Sequence, residues 1–181
     1  MVSRPVPLGS LLFWLSLVAC GPPSDLPEGE DPCAPAVAVR VLEFVDGDTC
    51  DVEYLDGDLV GEQVRIRLLG VDTPEVNHSS LESSECHALT AWAAAEDALE
   101  GQDAWLTFDT ECTDRYDRTL AYMFRTSDRL FLNRKLMEEG HARTLTISPN
   151  TTFSDEFEEL EAAAQLAARG LWGEPCYGTT R

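Results

Sequence analysis

The sequence has few positively charged residues. Its 181 residues include 13 lysines and arginines against 33 aspartates and glutamates, for a formal net charge of −20. Proteins that bind nucleic acid tightly usually present a basic surface that neutralises phosphates. The composition therefore argues against a high-affinity DNA-binding module. It also indicates a solvated acidic surface that keeps the protein soluble.

Metal-binding motifs of the zinc type are also absent. No two cysteines have the C-x2-C spacing of structural zinc sites, and the three histidines (His78, His87 and His141) are scattered along the chain. Zinc needs clustered cysteine and histidine ligands. We therefore expect no zinc site, and we expect each histidine to be a surface or structural residue.

The N-terminal apolar run is too short for an ordinary membrane span. It extends from Leu8 to Ala19 after the single basic residue Arg4, which is typical of a secretory signal peptide. The run ends in Leu17-Val18-Ala19-Cys20, which resembles a bacterial lipobox. Residues 1–19 are then a lipoprotein signal peptide, and Cys20 is acylated. The alternative is a plain signal peptide with an accidental cysteine.

Acylation at Cys20 would anchor an exported protein in the cell envelope. Gly21, rather than Asp, in the next position indicates the outer membrane if the cell is Gram-negative. Residues 20–36 then comprise the acylated cysteine and a tether rich in Pro, Gly and acid, which we expect to be unstructured. The folded domain is expected over residues 37–181. Nothing in it indicates an oligomer or an obligate protein partner, so we expect a monomer.

The six cysteines fit an oxidising compartment. Cys50 lies in a predicted core strand and is expected to be a buried free thiol. Cys33 and Cys176 flank the domain and are candidates for a bridge that joins its ends. A second candidate bridge joins Cys86 to Cys112, although a sequence does not determine disulfide connectivity.

Five strands and three helices are predicted from hydrophobic periodicity, caps and turns. The strands are expected at Val37–Val45, Thr49–Leu55, Gln63–Val71, Ala104–Phe108 and Leu120–Phe124. The helices are expected at Glu82–Glu100, at Leu132–Glu139, and from an N-cap at Ser154 to just before Gly170. This order indicates an α+β fold, in which a five-stranded barrel of the oligonucleotide-binding (OB) type is combined with three α-helices.

Three short polar segments could supply one site: Asp46–Thr49, Arg67–Glu75 and Asp114–Arg118. Carboxylate and threonine oxygens suit a hard cation. Arginines beside such a cation suit a phosphate, because the guanidinium donates to two oxygens at once. Each segment alone could be an ordinary turn. Arg67 and Asp72 could meet one ligand only across a bulge or bend, because an odd separation puts them on opposite faces of a straight strand.

In combination, these segments resemble the staphylococcal (thermonuclease) nuclease family. The matching stretches are FVDGDT, VRIRLLGVDTPE, the helix that begins near Cys86, DRYDRTLAY, LNRKLMEEG, SPN and LAARGLW, which together extend from about Val39 to Trp172. The resemblance implies an OB-fold barrel and calcium-dependent cleavage of DNA and RNA. An acidic protein can still have such an activity if its cleft holds arginines and a divalent cation.

The resemblance also implies which residues bind the metal. Asp48 and Asp72 would bind Ca2+ through their carboxylates, and Thr73 would bind it through its backbone carbonyl. Asp46 would lie in the outer coordination shell.

The remaining matches concern the substrate. Glu75 would position or deprotonate the attacking water, while Arg67 and Arg118 would hold the scissile phosphate and stabilise the charge that builds on it. Arg115 and Tyr116 match positions that contact a neighbouring phosphate.

Three departures from the family pattern leave a second hypothesis open. The first is the acidic surface, which would repel nucleic acid at a distance; the other two are substitutions. Asp117 stands where the family usually has glycine, and Leu145 and Ile147 replace two aromatic residues that flank the substrate. Both changes should weaken substrate binding, because a charge is added beside Arg118 and base stacking is lost. The alternative function is therefore a non-catalytic OB-fold lipoprotein that binds a protein or another ligand.

Overall fold

The computed structural model describes residues 21–180, so the predicted signal peptide and Cys20 lie outside the described residues. Its elements, in chain order, are β1 (Val37–Phe44), β2 (Thr49–Tyr54), β3 (Gln63–Leu68), β4 (Gly70–Asp72), α1 (Ala88–Leu99), β5 (Asp103–Thr107), β6 (Thr119–Arg125), α2 (Leu132–Glu138), β7 (Arg143–Leu145) and α3 (Ser154–Leu166). Short 3-10 turns occupy Leu81–Ser83 and Gly170–Trp172. Among these residues, no helix combines the length and the apolar character needed to cross a bilayer.

The five longer strands close into a barrel in the order β1-β2-β3-β6-β5. β3 and β6 are parallel, and the other barrel pairs are antiparallel. Inward-facing apolar residues such as Val39, Val41 and Ile66 are fully buried, as the two-residue period of a strand requires. The predicted OB-type barrel with three α-helices is confirmed.

A bend at Gly70 divides the strand that was predicted over Gln63–Val71. Gly70 has φ = +77°, and a Cβ at this position would lie 2.5 Å from the ring of Phe157. Only glycine fits both constraints. After the bend, β4 leaves the barrel and pairs with β7, so Asp72 lies opposite Arg143. The bend required to bring Arg67 and Asp72 together is therefore present.

Part of the predicted tether is packed on the barrel. The Leu26 side chain is buried, the Gly29 N–H donates to the Phe108 carbonyl at 2.9 Å, and the Thr107 hydroxyl donates to the Pro27 carbonyl at 2.7 Å. The expectation that order begins only near Val37 is wrong for this stretch. The buried Leu26 side chain, these hydrogen bonds and a disulfide from Cys33 to Cys112 hold the stretch against the end of β5.

Both candidate disulfide pairings are wrong. The bridges join Cys33 to Cys112 and Cys86 to Cys176, while Cys50 is free and buried, as predicted. The observed pairing follows from the paths of two segments, one N-terminal to β1 and one C-terminal to α3. The N-terminal segment runs along the end of β5, next to Cys112, and the C-terminal segment runs past the loop that precedes α1.

Two helix starts also differ from prediction. α1 begins at Ala88 rather than Glu82, because His87 adopts a left-handed φ of 74° that no α-helix continues through. Ser154 is the first residue of α3 rather than its N-cap. Its hydroxyl donates to the Thr151 carbonyl at 2.8 Å, and the N-cap position is occupied by Phe153.

Candidate active site

A cleft of about 540 Å³ lies at the barrel rim, where the polar segments converge. One side is the β3–β4 bend, and the other is the loop that leads into β6. Six of the predicted site residues line the cleft: Arg67, Asp72, Glu75, Arg115, Tyr116 and Arg118. Leu145 and Ile147 line it as well. The structure therefore brings together segments that are up to about eighty positions apart in the chain.

The Arg67 guanidinium is buried and joins two carboxylates. Its Nη1 atom lies 3.1 Å from Asp48 Oδ1, and its Nη2 atom donates to Asp72 Oδ1 at 2.9 Å. Nη1 also donates to the carbonyls of Leu68 at 2.9 Å and Val71 at 2.6 Å. Because these carbonyls flank the bend at Gly70, the bend itself fixes the direction of the side chain.

Asp48 is held by hydrogen bonds from two elements. Its Oδ2 atom accepts from the N–H of Thr73 at 2.6 Å and from the Thr73 hydroxyl at 3.1 Å, while Oδ1 accepts from the Thr49 hydroxyl at 3.1 Å. Asp46 Oδ1 accepts from the Asp48 N–H at 3.1 Å and so shapes the turn. A Cβ at Gly47 would lie 2.8 Å from the Thr73 side chain, so glycine permits this close approach.

Negative charge in this part of the site is only partly compensated. Burial raises the pKa of Asp48 to about 6, against the opposing effect of Arg67, and the charge of Asp46 adds to the rise. Burial also raises the pKa of Asp72, again opposed by Arg67 and reinforced by repulsion from Asp48. A further cation would therefore stabilise the ionised forms of both carboxylates.

Glu75 lies at the rim of the cleft, three residues after β4. Partial burial of its carboxyl group, followed by repulsion from Asp48 and Asp72, raises the pKa of Glu75. Its backbone is fixed separately, because its N–H donates to Glu85 Oε2 at 3.1 Å and its carbonyl accepts from the Glu85 N–H at 3.1 Å. A carboxylate with a raised pKa on the wall of a cleft is suited to accept a proton.

The loop before β6 forms the opposite side of the cleft. Asp114 accepts from Arg118 Nε at 2.8 Å and from the N–H groups of Tyr116 and Arg118 at 2.8 and 3.0 Å. The Arg115 guanidinium carbon lies 4.7 Å from the centre of the Tyr116 ring. Asp117 adopts φ = +62°, a left-handed conformation that Asp tolerates better than most residues. This explains how Asp occupies a tight turn next to Arg118.

The charged side chains that line the cleft carry one more carboxylate than guanidinium: Arg67, Arg115 and Arg118 against Asp72, Glu75, Glu111 and Asp114. Within residues 21–180, no group of three or more His, Cys, Asp or Glu side chains forms a ready-made metal cluster. The available donors at Asp48 and Asp72 are carboxylate oxygens. This donor set fits a hard cation that keeps several water ligands, and it does not fit zinc.

Two asparagines that sequence reasoning did not assign help to build the cleft. Asn133 is fully buried; its amide donates to the Leu69 carbonyl at 2.8 Å and accepts from the Met123 N–H at 3.1 Å. Asn150 exchanges two hydrogen bonds with the backbone of Glu111, at 2.8 and 3.0 Å. A polar residue on the apolar face of α2 was an available signal for Asn133, and the Ser-Pro-Asn stretch that matches the family pattern was one for Asn150.

Known proteins resemble this chain over most of its length. A family model described as staphylococcal nuclease homologue matches residues 65–174, which is more than half of the chain. The thermonuclease of Staphylococcus hyicus is 32% identical over 133 residues, which cover 74% of each chain. The thermonuclease of Staphylococcus intermedius is 30% identical over 156 residues, which cover 76% of this chain and 91% of the relative.

A third relative, the SPbeta prophage-derived endonuclease YokF of Bacillus subtilis, is 30% identical over 147 residues, which cover 80% of this chain and 47% of YokF. The family model, the shared length and the barrel agree. The chain therefore belongs to the staphylococcal nuclease family.

Proposed function

We propose that this protein is a calcium-dependent nuclease that hydrolyses phosphodiester bonds of DNA and RNA at the cell envelope. The observation that carries the proposal is the cleft at the barrel rim. Arg67, Glu75 and Arg118 line this cleft, next to carboxylates whose negative charge is only partly compensated. Membership of a family that includes thermonucleases supports this chemistry. The protein acts as a monomer, because one chain contains every part of the site.

The two arginines act on the scissile phosphate. A phosphodiester is an anion, and attack on phosphorus places more charge on its equatorial oxygens. Arg67 and Arg118 donate to these oxygens and bind the transition state more tightly than the ground state. Glu75 accepts the proton of the attacking water. Arg115 and Tyr116 contact a neighbouring phosphate of the same strand.

Asp48, Asp72 and the Thr73 carbonyl would hold Ca2+, and Asp46 would support them from the outer shell. When bound, the cation supplies Lewis acidity and neutralises charge beside the phosphate. The excess of carboxylates in the cleft supports a requirement for a cation. Without one, the negative charge of the cleft would repel the phosphates of the substrate. The location follows from the predicted lipobox, which would attach the chain to the membrane through acylated Cys20.

The test is digestion of plasmid DNA and of RNA by the purified full-length chain, with Ca2+ and with a calcium chelator. We expect cleavage that disappears with the chelator and that Glu75→Gln abolishes without loss of fold by circular dichroism. Well-folded protein that cleaves neither substrate in Ca2+ would disprove the proposal.

A second candidate function is a non-catalytic binding lipoprotein. The excess of carboxylates in the cleft and the extra anion at Asp117 favour it, because both repel a polyanion. The same digestion distinguishes the two functions. An inactive protein that remains folded would support the binding function.

A further inference from the structure

The loop between Glu75 and α1 is closed by Glu85. The Glu85 carboxylate accepts the N–H of Glu75, and the Glu85 N–H donates to the Glu75 carbonyl, both at 3.1 Å. These two bonds hold the backbone of Glu75 but leave its carboxylate on the cleft wall. The intervening nine residues are largely exposed. His78 among them hydrogen-bonds the Val45 carbonyl at 2.6 Å, whereas the hydrogen bonds to the Glu75 backbone come from Glu85.

The residue after Glu85 is attached to the C-terminal segment, residues 174–180. Cys86 forms a disulfide with Cys176, and its N–H donates to the Thr180 carbonyl at 2.9 Å. The C-terminal segment is in turn anchored on the domain, because the Gly178 N–H donates to the carbonyl of the buried Leu171 at 2.8 Å. A covalent and hydrogen-bonded path therefore connects the domain to Glu85.

The same segment reaches the other carboxylate wall of the cleft. The Gly178 carbonyl accepts a hydrogen bond from Arg143 Nη2. Arg143 lies opposite Asp72 in the β4–β7 pair, and its guanidinium packs over the Trp172 ring at 5.2 Å. One C-terminal segment thus supports the backbones beside both Glu75 and Asp72.

We propose that Glu85 is a positioning residue for Glu75, and that the Cys86–Cys176 disulfide holds Glu85 in the position that this requires. The inference rests on the proposed nuclease function and adds a residue to it. Glu85 does not touch the reacting atoms; it acts through the backbone of Glu75. The effect of its loss should therefore appear in the chemical step rather than in substrate binding.

The first test compares Glu85→Ala with Glu85→Gln and with Glu82→Ala, a matched control that removes the same charge from the exposed part of the same loop. Steady-state cleavage of a short oligonucleotide is measured in saturating Ca2+, together with thermal unfolding. We expect Glu85→Ala to lower kcat about 10- to 100-fold, as loss of a supporting hydrogen bond typically does, with little change in KM. Glu85→Gln keeps an oxygen acceptor and should recover most of kcat, while Glu82→Ala should match the wild type.

The outcomes separate this inference from the function on which it rests. An inactive wild type would overturn both. An active wild type with equal kcat for Glu85→Ala and Glu82→Ala would overturn the positioning role alone. An equal loss for the alanine and glutamine variants, in parallel with a lower unfolding temperature, would assign Glu85 a structural role instead.

The second test asks whether the disulfide acts through Glu85. The pair Cys86→Ser and Cys176→Ser is combined with Glu85→Ala, and we expect the loss in kcat to be smaller than the product of the separate losses. Removal of the other bridge, by Cys33→Ser with Cys112→Ser, serves as the control and should combine multiplicatively with Glu85→Ala. If the loss in kcat from removing either bridge combined multiplicatively with that of Glu85→Ala, the proposed path from the Cys86–Cys176 disulfide to Glu85 would be disproved.

Discussion

The two sides of the cleft are built in different ways. The inner wall, defined here as Asp48, Arg67, Asp72 and Thr73, is mostly buried and is held by hydrogen bonds between β2, β3 and β4. The outer wall, defined as Asp114–Arg118, is an exposed loop stabilised by its own hydrogen bonds, with Tyr116 63% exposed. A charge on the inner wall should therefore affect both folding and catalysis. A charge on the outer wall should affect mainly catalysis and substrate binding.

Removal of each arginine tests this difference most strongly. Arg67→Met should lower activity about 10²–10³-fold and reduce the free energy of unfolding by about 3–5 kcal/mol, because it leaves a buried carboxylate without its cation. Arg118→Met should cause a comparable loss of activity but lower stability by less than about 1 kcal/mol, because its ion pair with Asp114 is partly exposed. Urea unfolding and steady-state kinetics on both variants measure these effects. Equal losses of stability would contradict the contrast between the walls.

Neutralisation of Asp48 should make the stability of the protein less dependent on pH while it removes activity. The pKa of Asp48 is raised from 3.8 to about 6, so the folded state binds more protons than the unfolded state between these values. The contribution of Asp48 to stability therefore falls as pH rises from about 4 to about 6 and stays low above that range. Asp48→Asn also loses hydrogen bonds that the carboxylate accepts, which lowers its free energy of unfolding at every pH. In chelator, the free energy of unfolding of Asp48→Asn relative to the wild type should therefore be about 1–3 kcal/mol higher at pH 8 than at pH 4.

At pH 4 the native carboxyl group is largely protonated as well, so the difference between the two proteins there reflects only the lost hydrogen bonds. The measurement is urea unfolding of both proteins at the two pH values. An equal difference between the two proteins at pH 4 and pH 8 would show that Arg67 compensates Asp48 more completely than the structure indicates.

The edge of the cleft near the outer wall has room for a base-stacking residue. Ile147 is 62% exposed and lines the cleft. Ile147→Tyr should lower KM about tenfold, since stacking contributes roughly 1–3 kcal/mol per base, and kcat should remain unchanged. Leu166→Tyr, at an exposed site on α3 outside the cleft lining, is the control. No change in KM for Ile147→Tyr would mean that substrate bases do not reach this edge.

The smallest expected effect concerns the anion next to Arg118. Asp117→Asn preserves a residue type that tolerates φ = +62° and removes one negative charge. KM should fall about two- to threefold at low ionic strength and return towards the wild-type value at about 1 M salt, where exposed charges are screened. Asp58→Asn in the exposed β2–β3 loop should leave KM unchanged. A gain that persists in high salt would point to a change of loop conformation instead.

The barrel could be predicted because it depends on local patterns, whereas the bend at Gly70 falls inside the single strand that was predicted over Gln63–Val71. Alternation of apolar residues marked each strand, and the odd spacing of Arg67 and Asp72 required the irregularity that Gly70 supplies. The joint order of three polar segments also indicated which residues meet in the cleft. The roles assigned to these residues remain predictions, since geometry alone does not show them.

The errors concern contacts between distant parts of the chain. The partners of Cys33 and Cys86 depend on the courses of the two chain ends, which carry no periodic pattern. The packing of Leu26 on the barrel was missed because a segment rich in Pro and Gly resembles a free tether by composition. The support of Glu75 by Glu85 was missed because Glu85 was placed inside the predicted helix Glu82–Glu100, whereas it lies in the loop before α1.

The most direct test of the central claim is the single-turnover rate at which saturating enzyme cleaves one phosphodiester bond in a short oligonucleotide, compared between the wild type and Glu75→Gln in Ca2+. We predict a calcium-dependent rate for the wild type and a fall of about 10²-fold or more in the variant, with both proteins equally folded. Equal rates in the two proteins would contradict the assignment of this cleft as the catalytic site.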